Sequence, residues 1–391
     1  MRLAKSLATV STCILFVAAL AQRPVRAAQA IPAINERMKE FVAQGEIAGA
    51  VTLVADKDKI LHLDATGRAD LSSESPISRD AMFWIASMSK PITGVAVMIM
   101  QDEGKLSLDD SVEKYIPEFA NYKTADGKKA TITIKNLLTH SSGMPEATVE
   151  ESKSSRTLAE LVPHFLNKPL QFAPGSKWQY CQSSINTAGR IVEIVSGQSF
   201  DRFVQDRIFA PLDMKDTTFY LTEPQSQRLA KSYKKADGKL TEAQIFILDG
   251  KSPVSRERYP AANGGLFSTA LDYARFCQML LNNGELNGRR ILKPESVKQF
   301  STVQFPDLKT GFTPGNGWGV GCCIVREPQG VTAMLSPGTY GHGGAYGTQA
   351  WIDPQKNLIY ILMVQRANFL NADNSDVRKA FQQAASEALA K

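Results

Sequence analysis

The stretch that most restricts the fold is Phe83-Trp84-Ile85-Ala86-Ser87-Met88-Ser89-Lys90-Pro91. A serine and a lysine three positions apart come forward together on a helix, where residues i and i+3 share a face. Pro91 fixes where that helix begins, because a residue without an N–H is tolerated in a first turn and breaks later ones. Ile92, Val95, Ala96 and Ile99 then recur at helical spacing and predict an apolar-faced helix ending near Gly104. Ser87 is therefore expected at the positive end of the helix dipole, among backbone N–H groups without intrahelical partners. A hydroxyl there, one turn from an amine and behind an apolar run, has the setting of an activated nucleophile. An N-capping serine followed by a solvated lysine satisfies the same motif, so the motif alone leaves both readings open. The chain carries a second copy, Ser232-Tyr233-Lys234-Lys235, among Lys231, Asp237, Gly238 and Lys239. With no apolar helix behind it, that copy reads as a solvated loop.

Residues 1–27 have the pattern of a secretory signal. Arg2 and Lys5 form a basic start, Leu7 to Leu20 an apolar core too short to span a bilayer, and Ala19-Leu20-Ala21 and Val25-Arg26-Ala27 small-residue exits. Cys13 lies inside the apolar run, which argues against a lipid-anchored cysteine. Removing this segment takes away four basic residues and no acidic one, leaving 41 basic against 39 acidic. The net charge of +6 is thus largely a property of the signal, and neither the balance nor any basic stripe points to nucleic acid. The rest of the chain is long enough for one large core or two lobes. Cys181, Cys277, Cys322 and Cys323 lack Cys-x-x-Cys spacing, so a zinc or redox site is not expected, and adjacent Cys322 and Cys323 leave any disulfide pairing open.

Along the chain, Ile31 to Ala43 predicts a helix closed by Gly45. Ala50–Ala55 and Lys59–Leu63 predict strands around a turn at Asp56-Lys57-Asp58, and residues 66–82 a polar connection. Thr157 to Leu166 predicts a helix. Another follows Trp178-Gln179-Tyr180-Cys181-Gln182, with Ile185, Ala188, Ile191, Val192 and Val195 on one face and Gly197 as its stop. Residues 222–260, polar and rich in Lys, Pro and Gly, read as a surface excursion that borders the substrate entrance. Tyr273 to Leu281 and Asp376 to Ala390 predict helices; Trp318–Val325, Thr348–Ile352 and Leu358–Val364 predict strands, the last buried. Strands thus cluster at both ends and helices in the middle. That order predicts an α/β lobe built from both termini (about 31–80 and 260–391) around an inserted, mainly helical lobe (about 81–259).

Four histidines exist, His62, His140, His164 and His342, and no Gly-x-Ser-x-Gly elbow accompanies them, which excludes an α/β-hydrolase triad. Tyr180 precedes a helix, where its phenol either packs beside Trp178 or points into a cleft. In a cleft, an ammonium from Lys90 would favour the phenolate and let Tyr180 act as a base. Gly341-His342-Gly343-Gly344-Ala345 reads either as an ordinary hairpin or as backbone that approaches a ligand. In the second case the N–H groups of Ser87 and Ala345 would form an oxyanion hole. His140, in a turn of small hydroxyls, reads as structural, and Asp56 and Asp58 as turn residues rather than metal ligands.

Taken together, these stretches resemble the serine β-lactamase/penicillin-binding-protein superfamily. The resemblance lies with its class C-like branch, which holds family VIII carboxylesterases, D,D-peptidases and related amidases. It runs from about residue 33 to the C-terminus and rests on the order and spacing of several pieces. These are Trp84–Lys90, Glu103–Asp110, Leu137–Gly143, Pro174-Gly175 through Tyr180, Gly264–Thr269 and Gly341–Gly344. The resemblance implies an antiparallel sheet flanked by helices, acylation of Ser87, and proton transfers shared by Lys90 and Tyr180. It implies substrate contacts from Gln182, His342, Gly343 and Gly344, and no metal or organic cofactor. His342 stands where many relatives carry a lysine, Gln182 where asparagine is usual, and Cys181 where serine is common. A histidine is a less dependable cation than lysine, so a substrate carboxylate should be held more weakly. The expectation is an exported hydrolase of a small-molecule ester, or of an amide or peptide, with no membrane span after signal removal. A D,D-peptidase or weak β-lactamase is the first alternative, and a penicillin-binding sensor without turnover the second.

Overall fold

The computed structural model describes residues 30–390, so the signal expected at residues 1–27 lies outside the described residues. Its centre is a seven-stranded antiparallel sheet. The strands are β1 (Gly49–Ala55), β2 (Ile60–Gly67), β3 (Asn316–Trp318), β4 (Cys323–Val325), β5 (Tyr340–Gly343), β6 (Gln349–Asp353) and β7 (Leu358–Val364). They lie in the order β2-β1-β7-β6-β5-β4-β3, so the two ends of the chain meet where β1 pairs with β7, Ala50 opposite Val364. The expected α/β fold with an antiparallel sheet built from both termini is the fold observed.

Strand β7 explains why this sheet is central. Every residue from Leu358 to Val364 is buried, and alternate side chains point to opposite faces. Leu358, Tyr360, Leu362 and Val364 pack with α1 (Pro32–Ala43) and the C-terminal helix Asp376–Ala388. Ile359, Ile361 and Met363 join the larger core, which contains α2 (Ser89–Asp102) and the helix Ala270–Leu281. From Ser89 to Met100 every residue of α2 is buried, the pattern of a helix enclosed on all sides rather than one with a single apolar face.

The helices between the two halves of the sheet begin and end as their caps dictate. Thr157 caps Leu158–Leu166 by accepting from Glu160 N, and left-handed Gly197 ends Gln182–Ser196. Among the described residues no helix is long and apolar enough to cross a membrane.

Two expectations are corrected. Residues 318–325 are not one strand but a hairpin, because Gly321 at φ +74° turns the chain and Gly319 N donates to Cys322 O. The Ser232–Lys235 copy is not a solvated loop but the first strand of a hairpin pairing Ser232–Ala236 with Lys239–Ala243. Ser232 and Tyr233 are buried, Ser232 Oγ donates to Gln365 Oε1, and on a strand Ser232 and Lys235 face opposite ways. A serine–lysine pair cannot form there.

The Gly319–Cys322 turn also fixes the approach to α2. A Cβ on Gly94 would overlap the carbonyl oxygen of Val320 and stand 3.0 Å from the Phe300 ring. Gly94→Ala is expected to lower stability by about 1–3 kcal/mol through overpacking. Urea unfolding measures this, and a midpoint equal to that of the parent would contradict the contact.

Candidate active site

Ser87 sits on a 3₁₀ turn, Ala86–Met88, that feeds directly into α2. The turn is held from several sides. Phe83 and Trp84 pair with Ser268 and Phe267, and Ile85 N donates to Leu266 O. Trp84 Nε1 donates to Gly264 O at 2.7 Å, Ser89 Oγ to Ala86 O at 2.7 Å, and Tyr273 Oη to Met88 O at 2.8 Å. Ala86 itself adopts φ +46°, a left-handed conformation that costs a non-glycine residue on the order of 1–3 kcal/mol. Strain immediately before a partly exposed serine is what a rigidly presented hydroxyl requires.

Lys90 lies one turn on and is wholly buried. Its Nζ stands 2.9 Å from Ser87 Oγ, 2.9 Å from Gln182 Oε1 and 2.7 Å from the backbone oxygen of Asn263. Burial penalises the ammonium and brings Lys90 down to about 7, with the Glu146 carboxylate pulling the other way. The amide oxygen and the carbonyl can only accept, so together they use both hydrogens of a neutral amine. The lone pair that remains is directed at Ser87 Oγ.

Tyr180 is held in an aromatic box. The His140 ring lies 4.4 Å from it, Phe312 4.6 Å and Trp318 5.9 Å, centroid to centroid. His140 is fully buried at φ +59°, and its Nδ1 accepts from Cys181 N, which fixes the backbone beside Tyr180 and agrees with a structural role. Of the two alternatives for Tyr180, burial opposes the phenolate. Burial raises Tyr180 well above its ordinary value, and its hydrogen bond with Ser87 offsets this only in part. Lys90 supplies no phenolate-stabilising ammonium to the hydroxyl, since its Nζ lies 4.6 Å over the ring face. Tyr180 is a neutral phenol.

His342 faces that phenol, its Nε2 3.4 Å from Tyr180 Oη, while its Nδ1 lies 2.6 Å from Gly343 O. A carbonyl accepts, so the proton is on Nδ1 and the Nε2 lone pair faces the tyrosine. Burial, reinforced by Lys90, lowers His342 to about 3, so it is neutral and offers no cation at all.

Strand β5 brings the glycine stretch against the serine turn. A Cβ on Gly344 would lie 2.6 Å from Ile85 O, and Thr348 Oγ1 donates to the same oxygen at 3.3 Å. Only glycine allows this approach. Exposed Ala345 then lines one groove with Ser87, Gln182 and Asn263. The groove encloses about 390 Å³ and runs from Ser87 towards buried Leu161 and Phe165, between Val149 and the Phe246–Leu248 segment. The 222–260 excursion therefore does border it.

Sequence reasoning missed three neighbours. Asn263 grips Lys90 by its carbonyl and Gln182 by its Nδ2 at 2.8 Å. Glu146 caps the helix that carries Gln182, accepting from Gln182 N at 2.6 Å and Ser183 N at 2.9 Å. Asp373 packs against Gly343, whose missing side chain makes room for it. The Gly264-Gly265 pair signalled a turn at Asn263, but nothing in spacing joined residues 146 and 182 or 343 and 373. All four cysteines expected in the exported chain are free thiols.

Glu146→Gln should cost about 1–2 kcal/mol, the worth of a charged helix cap, read as a lower melting temperature. The same change removes the carboxylate that raises Lys90, so any titration of Lys90 should move to lower pH.

The model of the beta-lactamase family matches residues 34–385. The chain is 31% identical over 318 residues to penicillin-binding protein 4 of Amycolatopsis lactamdurans, covering 81% of this chain and 79% of that protein. It is 28% identical over 362 residues to esterase EstB of Burkholderia gladioli, covering 84% and 88%. Its fold matches that of EstCE1, a hydrolase with promiscuous acyltransferase activity, with a TM-score of 0.78 at 24% identity over 91% of this chain and 97% of the other. A penicillin-binding protein homologue from Caulobacter crescentus matches with a TM-score of 0.74 at 22% identity over 91% and 97%.

Proposed function

The chain therefore belongs to the beta-lactamase family, and we propose that it is an exported serine hydrolase that cleaves esters through an acyl-enzyme on Ser87. The observation that carries this reading is the Lys90 amine. It is pushed to about 7, two of its hydrogens are occupied by Gln182 and Asn263, and its lone pair is left for the serine. The basic, apolar, small-residue order of residues 1–27 supports export. EstB supports ester chemistry.

In this reading Lys90 takes the Ser87 proton as Oγ attacks the ester carbonyl. The N–H groups of Ser87 and Ala345 hold the oxyanion. Tyr180, neutral and beside Ser87, gives its proton to the departing alkoxide, and the water that enters as the alcohol leaves carries the Lys90 proton back to the phenolate. His342 Nε2 orients the phenol as an acceptor. Water then attacks the acyl-enzyme by the reverse relay and releases the acid. The groove, with apolar walls at Leu161, Phe165 and Leu248, suits an uncharged acyl group. Gln182 acts first on Lys90 and only secondarily on substrate, while Gly343 and Gly344 admit the substrate backbone side by side with β5.

The penicillin-binding relative supports a second reading, in which the same serine is acylated by β-lactams or D-alanyl peptides. Both substrates carry a carboxylate, and neutral His342 provides no cation for it, so ester cleavage is favoured. Nitrocefin turnover faster than ester turnover would reverse that order. Slow release after labelling by a fluorescent penicillin, with no ester turnover, would point to a sensor.

Ser87→Ala should reduce p-nitrophenyl ester turnover by at least about a thousandfold, and unchanged turnover would exclude the nucleophile. Lys90 must be neutral to accept a proton, so kcat/KM should rise with pH through about 7 and then level off. A profile still climbing at pH 10 would contradict a buried, depressed lysine.

A further inference from the structure

We propose that Asp373 sets the charge selectivity of the leaving-group side, favouring esters with neutral or cationic leaving groups over anionic ones. This rests on the hydrolase reading and states what that site selects. The groove that takes one substituent of the ester carbonyl is lined by Gln182, Asn263 and Ala345, and neither Tyr180 nor His342 lines it. The substituent that receives the phenol proton therefore lies outside the groove, along β5 towards His342 and Gly343.

On that side the protein places a carboxylate. Asp373 stands against Gly343 so closely that any Cβ at 343 would overlap Oδ1. Gln349 Nε2 donates to Oδ1 at 3.2 Å and also to Ala372 O, which fixes the turn carrying the acid. Asp373 and His342 line one small cavity with Phe312 and Trp318. Arg378 favours the charged form of Asp373 through space, but makes no hydrogen bond to its carboxylate. Arg378 is fully buried, lies 4.0 Å over the Trp351 ring, and donates to the Asp373 backbone oxygen and to Gln382 rather than to the carboxylate. Asp373 keeps partial exposure while Arg378 has none; burial raises its carboxyl and Arg378, Gln349 and Lys90 pull it back towards the carboxylate, which is the one of the two charges on the side of the substrate. His342 is neutral and Lys90 is largely so above pH 7. A partly desolvated carboxylate that no cation bonds directly repels an anion and attracts a cation.

The test uses three acetate esters that form the same acetyl-enzyme: phenyl acetate, meta-acetoxybenzoate and meta-acetoxyphenyl-trimethylammonium. Acylation alone sets kcat/KM, and dividing each value by the ester's own hydroxide-catalysed rate removes the intrinsic difference between the leaving groups. The wild type should favour the cationic ester over the anionic one by about tenfold. Asp373→Asn should shrink that ratio by about fivefold or more. An unchanged ratio would overturn the proposal. Should the variant lose the neutral ester as well, the wild type alone decides, since its ratio must fall as salt screens the carboxylate. A salt-independent ratio overturns the proposal. Equal rates for the three esters, all abolished in Ser87→Ala, would refute the role of Asp373 and leave the hydrolase reading intact. No Ser87-dependent turnover of phenyl acetate would refute both.

Discussion

The structure depends on one amine kept out of water. A lysine is buried without a countercharge only if its neutral form is satisfied, because desolvation acts on the ammonium and not on the amine. Lys90 meets that condition with one acceptor from the helix start at Gln182 and one from the turn at Asn263, and it presents the remaining position to Ser87. Its partners come from three separate regions of the chain, so the pocket exists only once those regions have packed. The caps, the glycines and the all-round burial of α2 can each be understood as what that arrangement needs.

The rest of the site divides the protonation work by environment. Two groups that a surface would leave basic or cationic, Lys90 and His342, are both neutralised by burial, whereas Tyr180 is kept protonated by the same cause. The result is a chain of neutral donors and acceptors around the serine hydroxyl, with charged side chains of both signs, Glu146, Asp249, Lys153, Lys251 and Arg258, only along the groove beyond it. That electrostatic pattern suits an ester, which carries no charge, better than a substrate recognised by its own carboxylate. The strained Ala86 and the Gly344 approach to Ile85 keep the serine and the end of β5 in fixed relation, as oxyanion stabilisation demands.

Much of this was legible in residues 83–91, because a proline in a first turn and an i, i+3 pair leave few geometries. Strand β7 was legible in full, since seven consecutive apolar residues have no other use than burial on both faces. The hairpin at 318–325 was not: its apolar letters run on, and the break comes from glycines whose left-handed conformation no periodicity signals. The Ser232–Lys235 strand was hidden by its polar composition, which reflects an exposed edge rather than a loop. The state of Tyr180 was left open because position along the chain cannot show burial, a tertiary property that decides it and Lys90 alike. Asn263, Glu146 and Asp373 act across long sequence separations and leave no local mark.

The most direct measurement is the titration of Lys90 itself, by NMR of the side-chain ε-carbon in protein labelled at lysine, with the resonance assigned by Lys90→Met. In the folded protein one lysine should titrate near 7, displaced far from the others. A Lys90 resonance that titrates near the ordinary value of about 10.4 would contradict it, because the amine would then be a cation at neutral pH and would have no lone pair for the serine.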